Sequence, residues 1–230
     1  MRNIVALLLL SGLNVVLPRA VVNFDYFMLV QEWPQTVCQA AKVGEGCKVP
    51  VNTTGWGIHG LWPTQLGTEG PNYCDQSAQF SWQAIQNLTG ELSEVWPNCY
   101  TTTSFWSFWE HEYLKHGTCA AGVTGLENEY GFFSMTLQLY NKHTMGYILQ
   151  KGDIVPSNST TYKASDISYT VQSATSSKPL LYCYYDKTFK VQFLQQIVLC
   201  MRKDFTLMDC PEEPHSLCYD DEPVFYPLKY

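Results

Sequence analysis

Nine cysteines follow an apolar N-terminal run, and these two features together restrict the fold more than any other property of the chain. Residues 3–17, Asn-Ile-Val-Ala-Leu-Leu-Leu-Leu-Ser-Gly-Leu-Asn-Val-Val-Leu, stand behind Arg2 at the extreme N-terminus. The run is short for a membrane span and reads as a secretory leader cut near Ala20, although Pro18 and Arg19 make a poor small-residue cleavage site. No later segment is long and apolar enough to span a bilayer, so a soluble mature product over residues 21–230 is expected. That length suits one domain with a sizeable core. Cys38, Cys47, Cys74, Cys99, Cys119, Cys183, Cys200, Cys210 and Cys218 would then meet an oxidising compartment. None of their spacings is the short Cys-x-x-Cys of a zinc ribbon, so disulfides are favoured over metal. An odd count leaves at least one thiol over, and spacing does not say which.

The order of elements points to an α+β domain: a mainly antiparallel β-sheet packed with several α-helices and stapled by disulfides. Residues 24–33 are apolar and aromatic and predict a buried strand. Residues 40–54 read as a loop, and 55–63, Gly-Trp-Gly-Ile-His-Gly-Leu-Trp-Pro, as a short strand running into a turn. Helices are expected over 80–95, 105–116, 127–142 and 162–174, with Pro97 ending the first and Gly117 stopping the second. Residues 180–185 and 191–200 flank an Asp186-Lys187 turn and predict a hairpin.

Chemistry concentrates in residues 107–119, Ser-Phe-Trp-Glu-His-Glu-Tyr-Leu-Lys-His-Gly-Thr-Cys. On a helix, His111 and Lys115 are four apart, as are Glu112 and His116, so two imidazoles, an ammonium and a carboxylate share one flank. A solvated face has no need of that combination; a site that moves protons around a phosphate does. A zinc-peptidase reading fails, because the residue four after His111 is Lys115 rather than a second histidine. Glu110 points elsewhere and reads as solvated, and His143 and His215 receive no role. His59 lies between Gly57-Ile58 and Gly60-Leu61-Trp62-Pro63. Alone it would read as a strand-end histidine satisfied by a carbonyl; beside the helix cluster it becomes the second half of an acid–base couple. Trp62 and Phe108 flank the two histidine motifs, where core aromatics and a stacking platform for a nucleobase are equally good readings.

Gly57-Ile-His-Gly-Leu-Trp-Pro63 and Phe108-Trp-Glu-His-Glu-Tyr-Leu-Lys-His-Gly-Thr-Cys119 resemble the two active-site segments of the ribonuclease T2 family, the secreted acid endoribonucleases. Tyr26-Phe-Met-Leu-Val-Gln-Glu-Trp-Pro34, with Cys38 beyond it, resembles that family's first strand. Cys119-Ala-Ala and the tail Pro223-Val-Phe-Tyr-Pro227 look more like animal members than plant self-incompatibility members. The resemblance implies that His59 is the general acid towards the leaving 5′-oxygen and His116 the base for the ribose 2′-hydroxyl. It implies that Glu112 and Lys115 steady the pentacoordinate phosphate, that His111 binds phosphate, and that Trp62 and Phe108 belong to base subsites. It further implies disulfides Cys38–Cys47, Cys74–Cys119, Cys183–Cys218 and Cys200–Cys210, leaving Cys99 without a family partner. Two departures bear on base preference: Gln31-Glu32 stands where many members carry two glutamines, and Thr64 stands where an acidic residue is frequent.

The implied reaction needs no cofactor and no metal. RNA carries its own nucleophile, the 2′-hydroxyl, so one base, one acid and positive charge near the phosphoryl oxygens suffice. Single-stranded RNA is the expected substrate, cleaved to a 2′,3′-cyclic phosphate in the lyase half of the reaction and then hydrolysed to a 3′-phosphate. The net charge of −7 becomes −9 once Arg2 and Arg19 leave with the leader. That argues against long-range capture of a polyanion, so local cations are required, and an acidic pH helps by neutralising carboxylates and charging histidines. Sequons at Asn52, Asn87 and Asn158 predict glycosylation of a secreted chain, with lysosomal or endosomal retention as the alternative address. A different class of function is a secreted immunomodulatory or signalling glycoprotein, with glycans engaging lectin receptors and Cys99 linking a dimer.

Overall fold

The computed structural model describes residues 22–68, 70–212 and 218–228. The leader expected at residues 1–20 lies outside the described residues, as does His215. The framework is a sheet of seven strands: β1 (Tyr26–Glu32), β2 (Gly57–Thr64), β3 (Thr161–Tyr162), β4 (Leu180–Asp186), β5 (Val191–Met201), β6 (Leu207–Met208) and β7 (Val224–Phe225). Its hub is β5, which pairs antiparallel with β1 along one edge and with β4 and β6 along the other. β2 closes the far side of β1, again antiparallel, and only the short β5–β7 pairing is parallel. The mixed α+β architecture with a mainly antiparallel sheet is therefore the one expected, and the predicted hairpin is β4–β5.

Side chains alternate across a strand, so β1 serves two cores. Phe27 and Leu29, with Ile197, Leu199 and Met201 of β5, join the main core beneath the helices, where Trp96, Trp109, Phe132 and Phe133 are buried. Tyr26, Met28 and Val30 turn to the opposite face and meet Leu180, Val198, Cys200 and Cys210. This double burial is why the β1 sequence is apolar at nearly every position.

The helices are α1 (Pro34–Ala40), α2 (Thr89–Val95), α3 (Ser107–Glu112), α4 (Thr118–Ala120), α5 (Glu129–Lys142), α6 (Met145–Lys151) and α7 (Ala164–Thr175). A 3₁₀ segment, Trp82–Leu88, precedes α2, and a π-helical turn, Tyr113–Gly117, joins α3 to α4. Helix α1 starts on a proline whose missing N–H costs nothing at that position. Asn128 caps α5 by accepting a hydrogen bond from the Gly131 N–H. Sequence periodicity does not reveal α1 or α6, each only seven residues long.

Gly117 does not stop its helix, contrary to expectation: its φ of −60° and ψ of −39° are helical, and the chain continues through Ala120. Its hydrogen side chain is needed for packing, since a Cβ there would press on the Tyr113 ring and come within 3.2 Å of Phe132.

Disulfides join Cys38–Cys47, Cys74–Cys119, Cys183–Cys218 and Cys200–Cys210. Cys99 is free, and the expected dimer link through it is disfavoured by its environment. The thiol is 3% exposed, and burial, reinforced by the Glu32 charge, pushes its pKa up to about 12. A buried, protonated thiol does not exchange with a partner's sulfur without local opening.

Gln31, one of the two residues in the departure noted on β1, is fully buried and turns into the core. Its amide nitrogen donates to the His143 carbonyl at 2.8 Å, and its amide oxygen accepts from the Met145 N–H at 3.2 Å. The side chain thus ties the α5–α6 connection to β1. Gln31→Leu should lose about 1–3 kcal/mol for each backbone group left unpaired, read as a lowered urea midpoint at unchanged slope under non-reducing conditions.

Candidate active site

Two local irregularities aim the site's side chains. The first is a β-bulge: Val30 pairs with Gly60 and Gln31 with Ile58, so His59 has no partner on β1. A bulged residue leaves the ladder and re-aims its side chain, and bulges gather beside functional sites. The second is the π turn. Its i→i+5 bonding adds a residue to the turn and rotates Lys115 and His116 relative to a continuous α-helix.

Trp109 anchors this segment, buried and donating from its indole to the Trp96 carbonyl at 2.8 Å. With Trp109 and Tyr113 turned into the core, Phe108, His111, Glu112 and His116 are left towards β2. The Cys74–Cys119 disulfide closes the segment from behind, and the Lys115 carbonyl accepts from the Tyr73 N–H at 2.8 Å.

The Trp62 side chain contacts both histidines. Its ring is 5.0 Å from His59, edge-on, and 5.0 Å from His116, nearly parallel, so the imidazoles are no more than twice that distance apart. The indole N–H donates to Glu112 Oε2 at 2.8 Å. Glu112 Oε1 is 3.8 Å from His59 Nε2 and 4.0 Å from His111 Nε2. Among the described residues no hydrogen bond or ion pair joins Glu112 to His116, which corrects the pairing that four-residue spacing suggested. The π turn carries the His116 ring onto Trp62 instead.

The electrostatic environment treats the histidines differently. Burial is the largest single influence on His59 and opposes a charge, but the Glu32 carboxylate, 3.1 Å from Nδ1, and Glu112 together leave the pKa raised. His116 is buried, has no carboxylate beside it and feels Lys115, His59 and His111, so its pKa falls to about 2. Its Nδ1 has no hydrogen-bond partner among the described residues. Half-exposed His111 is also lowered, by partial burial and then by Lys115 and His59. Glu112 is 1% exposed; desolvation pushes its carboxyl up to about 7, against His59, the Trp62 hydrogen bond and Lys115.

Contacts therefore gather His59, Trp62, Phe108, His111, Glu112 and His116 in one place, Lys115 acts on the three histidines through its charge, and His59 and Phe108 open onto a cleft. The Phe108 ring is 5.4 Å from His59. Beside them a pocket of about 170 Å³ is lined by Glu32, His59, Asn98, Tyr100, Phe108 and Gln196. A larger groove of about 680 Å³ runs beside α7 and β4 and includes neither histidine. Asn52, Asn87 and Asn158 are all exposed, away from the cleft. Gln196 is the residue that sequence reasoning passed over: its Nε2 lies 2.7 Å from His59 Nδ1. The signal was a Gln195-Gln196 pair in a strand that is apolar elsewhere except at Gln192, where a second bulge leaves Gln195 unpaired with β4.

The profile of the Ribonuclease T2 family matches residues 24–210. The chain is 37% identical over 209 residues to "Ribonuclease Oy" of Magallana gigas, covering 89% of this chain and 97% of that one. It is 37% identical over 203 residues to "Ribonuclease T2" of Sus scrofa, covering 87% and 95%. Among solved structures, human RNase T2 superposes with a TM-score of 0.76 at 33% identity, covering 89% of this chain and 98% of that one.

Gly60 is where β2 passes beneath this arrangement, and a Cβ there would collide with both Glu112 Oε2 and Trp62 Nε1. Gly60→Ala should therefore displace the Trp62–Glu112 hydrogen bond and cost about 1–3 kcal/mol by overpacking. The check is the indole N–H resonance of Trp62 together with the denaturation midpoint; an unmoved resonance and midpoint would contradict the packing described.

Proposed function

The chain belongs to the ribonuclease T2 family and is an endoribonuclease of that type, and from that premise we propose that it cleaves single-stranded RNA by metal-independent acid–base catalysis between His116 and His59. The observation that carries this reading is the opposite perturbation of two imidazoles that both contact the Trp62 ring. Paired titratable groups whose environments push their proton affinities apart are the pattern of an acid and a base.

His116, neutral before substrate arrives, accepts the proton of the ribose 2′-hydroxyl. Its depressed affinity reflects burial and three cationic neighbours, and a bound phosphodiester anion among Lys115, His111 and His59 offsets their charge. The 2′-oxygen then bonds to phosphorus as the bond to the 5′-oxygen breaks, and His59 delivers its Nε2 proton to that leaving oxygen. The product is a 2′,3′-cyclic phosphate. In the second step the roles reverse: His59 takes a proton from water, the water oxygen attacks phosphorus, and the 2′-oxygen leaves with the proton held by His116.

Lys115 and His111 supply donors to the phosphoryl oxygens. A carboxylate beside a phosphate would repel it, but the raised affinity of Glu112 gives it a neutral form below about 7 that donates a hydrogen bond. Phe108 offers a ring face to one base. Trp62 has one face against His116 and its N–H on Glu112, which leaves its remaining surface for a second base.

The apolar leader and four disulfides support a secreted enzyme, with lysosomal or endosomal delivery as the alternative. Among the described residues no helix is long and apolar enough to cross a membrane. Exposure of the three sequons supports N-glycosylation, and through it lectin engagement as a signalling role beside catalysis.

The test is hydrolysis of a defined RNA with and without chelator. His59→Phe and His116→Phe should each lose at least about 10²–10⁴-fold in kcat/KM at unchanged circular dichroism, with chelator making no difference. A folded variant retaining full activity would overturn the assignment. The pH dependence has a definite sign: catalysis needs protonated His59 and neutral Glu112, and both are lost as pH rises. Activity should fall with increasing pH, by about tenfold per unit past the first of these two midpoints and more steeply past both, and 2′,3′-cyclic ends should accumulate first.

A further inference from the structure

We propose that Glu32 is a positioning residue for His59, one that holds the proton on Nδ1 so that Nε2 is the nitrogen that gives and takes protons. The proposal rests on the reading of His59 as the acid of the cleavage step. Glu32 is 4% exposed at the end of β1, and among the described residues its one ion-pair contact is His59 Nδ1 at 3.1 Å. A buried carboxylate is costly unless it is paired. The register makes this pairing rigid: Glu32 lies directly opposite Gln196 on β5, and both side chains converge on the same ring nitrogen.

The bulge contributes to the geometry: His59 has no partner in the β1–β2 ladder, and its ring meets a side chain projecting from β1 itself. The hydrogen-bonding roles follow from chemistry. In the proposed arrangement Nδ1–H faces Glu32 at 3.1 Å, and the Gln196 carboxamide, whose nitrogen is placed 2.7 Å from Nδ1, is turned so that its oxygen accepts from the same N–H. In the charged ring both nitrogens then carry protons, one held by Glu32 and one free on Nε2. After Nε2 delivers its proton, the ring remains in the Nδ1–H form, with an Nε2 lone pair ready to take a proton from water. Without Glu32 the neutral ring has no carboxylate on that side and can settle in the opposite tautomer.

His59 is faced by several other charges. Glu112 approaches Nε2 from α3, Lys115 acts from the π turn against protonation, and His111 and His116 lie on the same wall. Cys99 and Tyr100, across the small pocket, both feel Glu32 and both stay protonated, so neither competes for its charge as a cation would. Of this set only Glu32 and, when ionised, Glu112 favour the imidazolium, and only Glu32 reaches Nδ1.

The experiment is ¹⁵N-resolved histidine titration of the whole mature protein, beside kcat/KM against pH on dinucleotides. In wild type the neutral His59 should be the Nδ1–H tautomer; finding Nε2–H would overturn the proposal without any variant. Glu32→Gln preserves size and hydrogen bonding but removes the charge. It should lower the His59 midpoint by about one unit, a tenfold loss of proton affinity, and move the alkaline limb of the rate profile by the same amount, while Glu32→Asp retains most of both. An unmoved His59 midpoint with altered dinucleotide preference would overturn the proposal and assign Glu32 to the base instead. Failure of the acid assignment is separate: a fully active His59→Phe enzyme would remove the catalytic reading while the titration still reported on the Glu32–His59 couple.

Discussion

The hydrogen bond from the Trp62 indole to the buried Glu112 carboxyl ties the sheet to the helical wall, and the rest of the cleft is arranged around it. It exists because β2 carries a glycine at residue 60, so that two large side chains can meet directly above the strand. From that contact the other distances follow. The same indole contacts the two imidazoles, and the far oxygen of Glu112 reaches towards His59 and His111. Neither element could hold this geometry alone. Helix α3 is only six residues long, and its orientation comes from Trp109 in the core and the disulfide behind α4.

The cleft also resolves an electrostatic conflict. On the proposed reading an acidic protein must attract a polyanion, and it would do so through Lys115, His111 and His59, gathered where the carboxyls are either desolvated or committed to a histidine. Glu112 is pushed towards neutrality by burial, and Glu32 is turned onto the far nitrogen of His59. Two carboxyls within reach of a phosphate site thus present little negative charge to it. The buried pairings are costly in themselves, and they persist because the sheet and the main core hold the strands rigidly enough to exclude the alternatives.

Much of the fold was legible in the chain. The aromatic run at the start of β1, the turn between β4 and β5 and the cysteines behind an apolar leader each carry a local physical cause. The short helices α1 and α6 were not legible, because seven residues give too little periodicity to distinguish a helix from a loop. Gly117 misled for a related reason: a glycine after charged residues is a common helix stop, and only the neighbouring Tyr113 and Phe132 rings reveal that here it makes room for packing.

The residue types of the site, two histidine motifs with a lysine and a carboxylate, were determined by the sequence alone, since the choice of groups with suitable proton affinities is a chemical matter. Which of them touch was decided by tertiary structure. A β-bulge freed His59, a π turn moved His116 off Glu112 and onto Trp62, and the β1–β5 register brought Glu32 and Gln196 to one ring nitrogen. The β1–β5 register joins strands more than a hundred residues apart in the chain, and the bulge exists only once β1 and β2 have paired. The proton affinities depend on burial, and no local pattern encodes the burial that assembly creates.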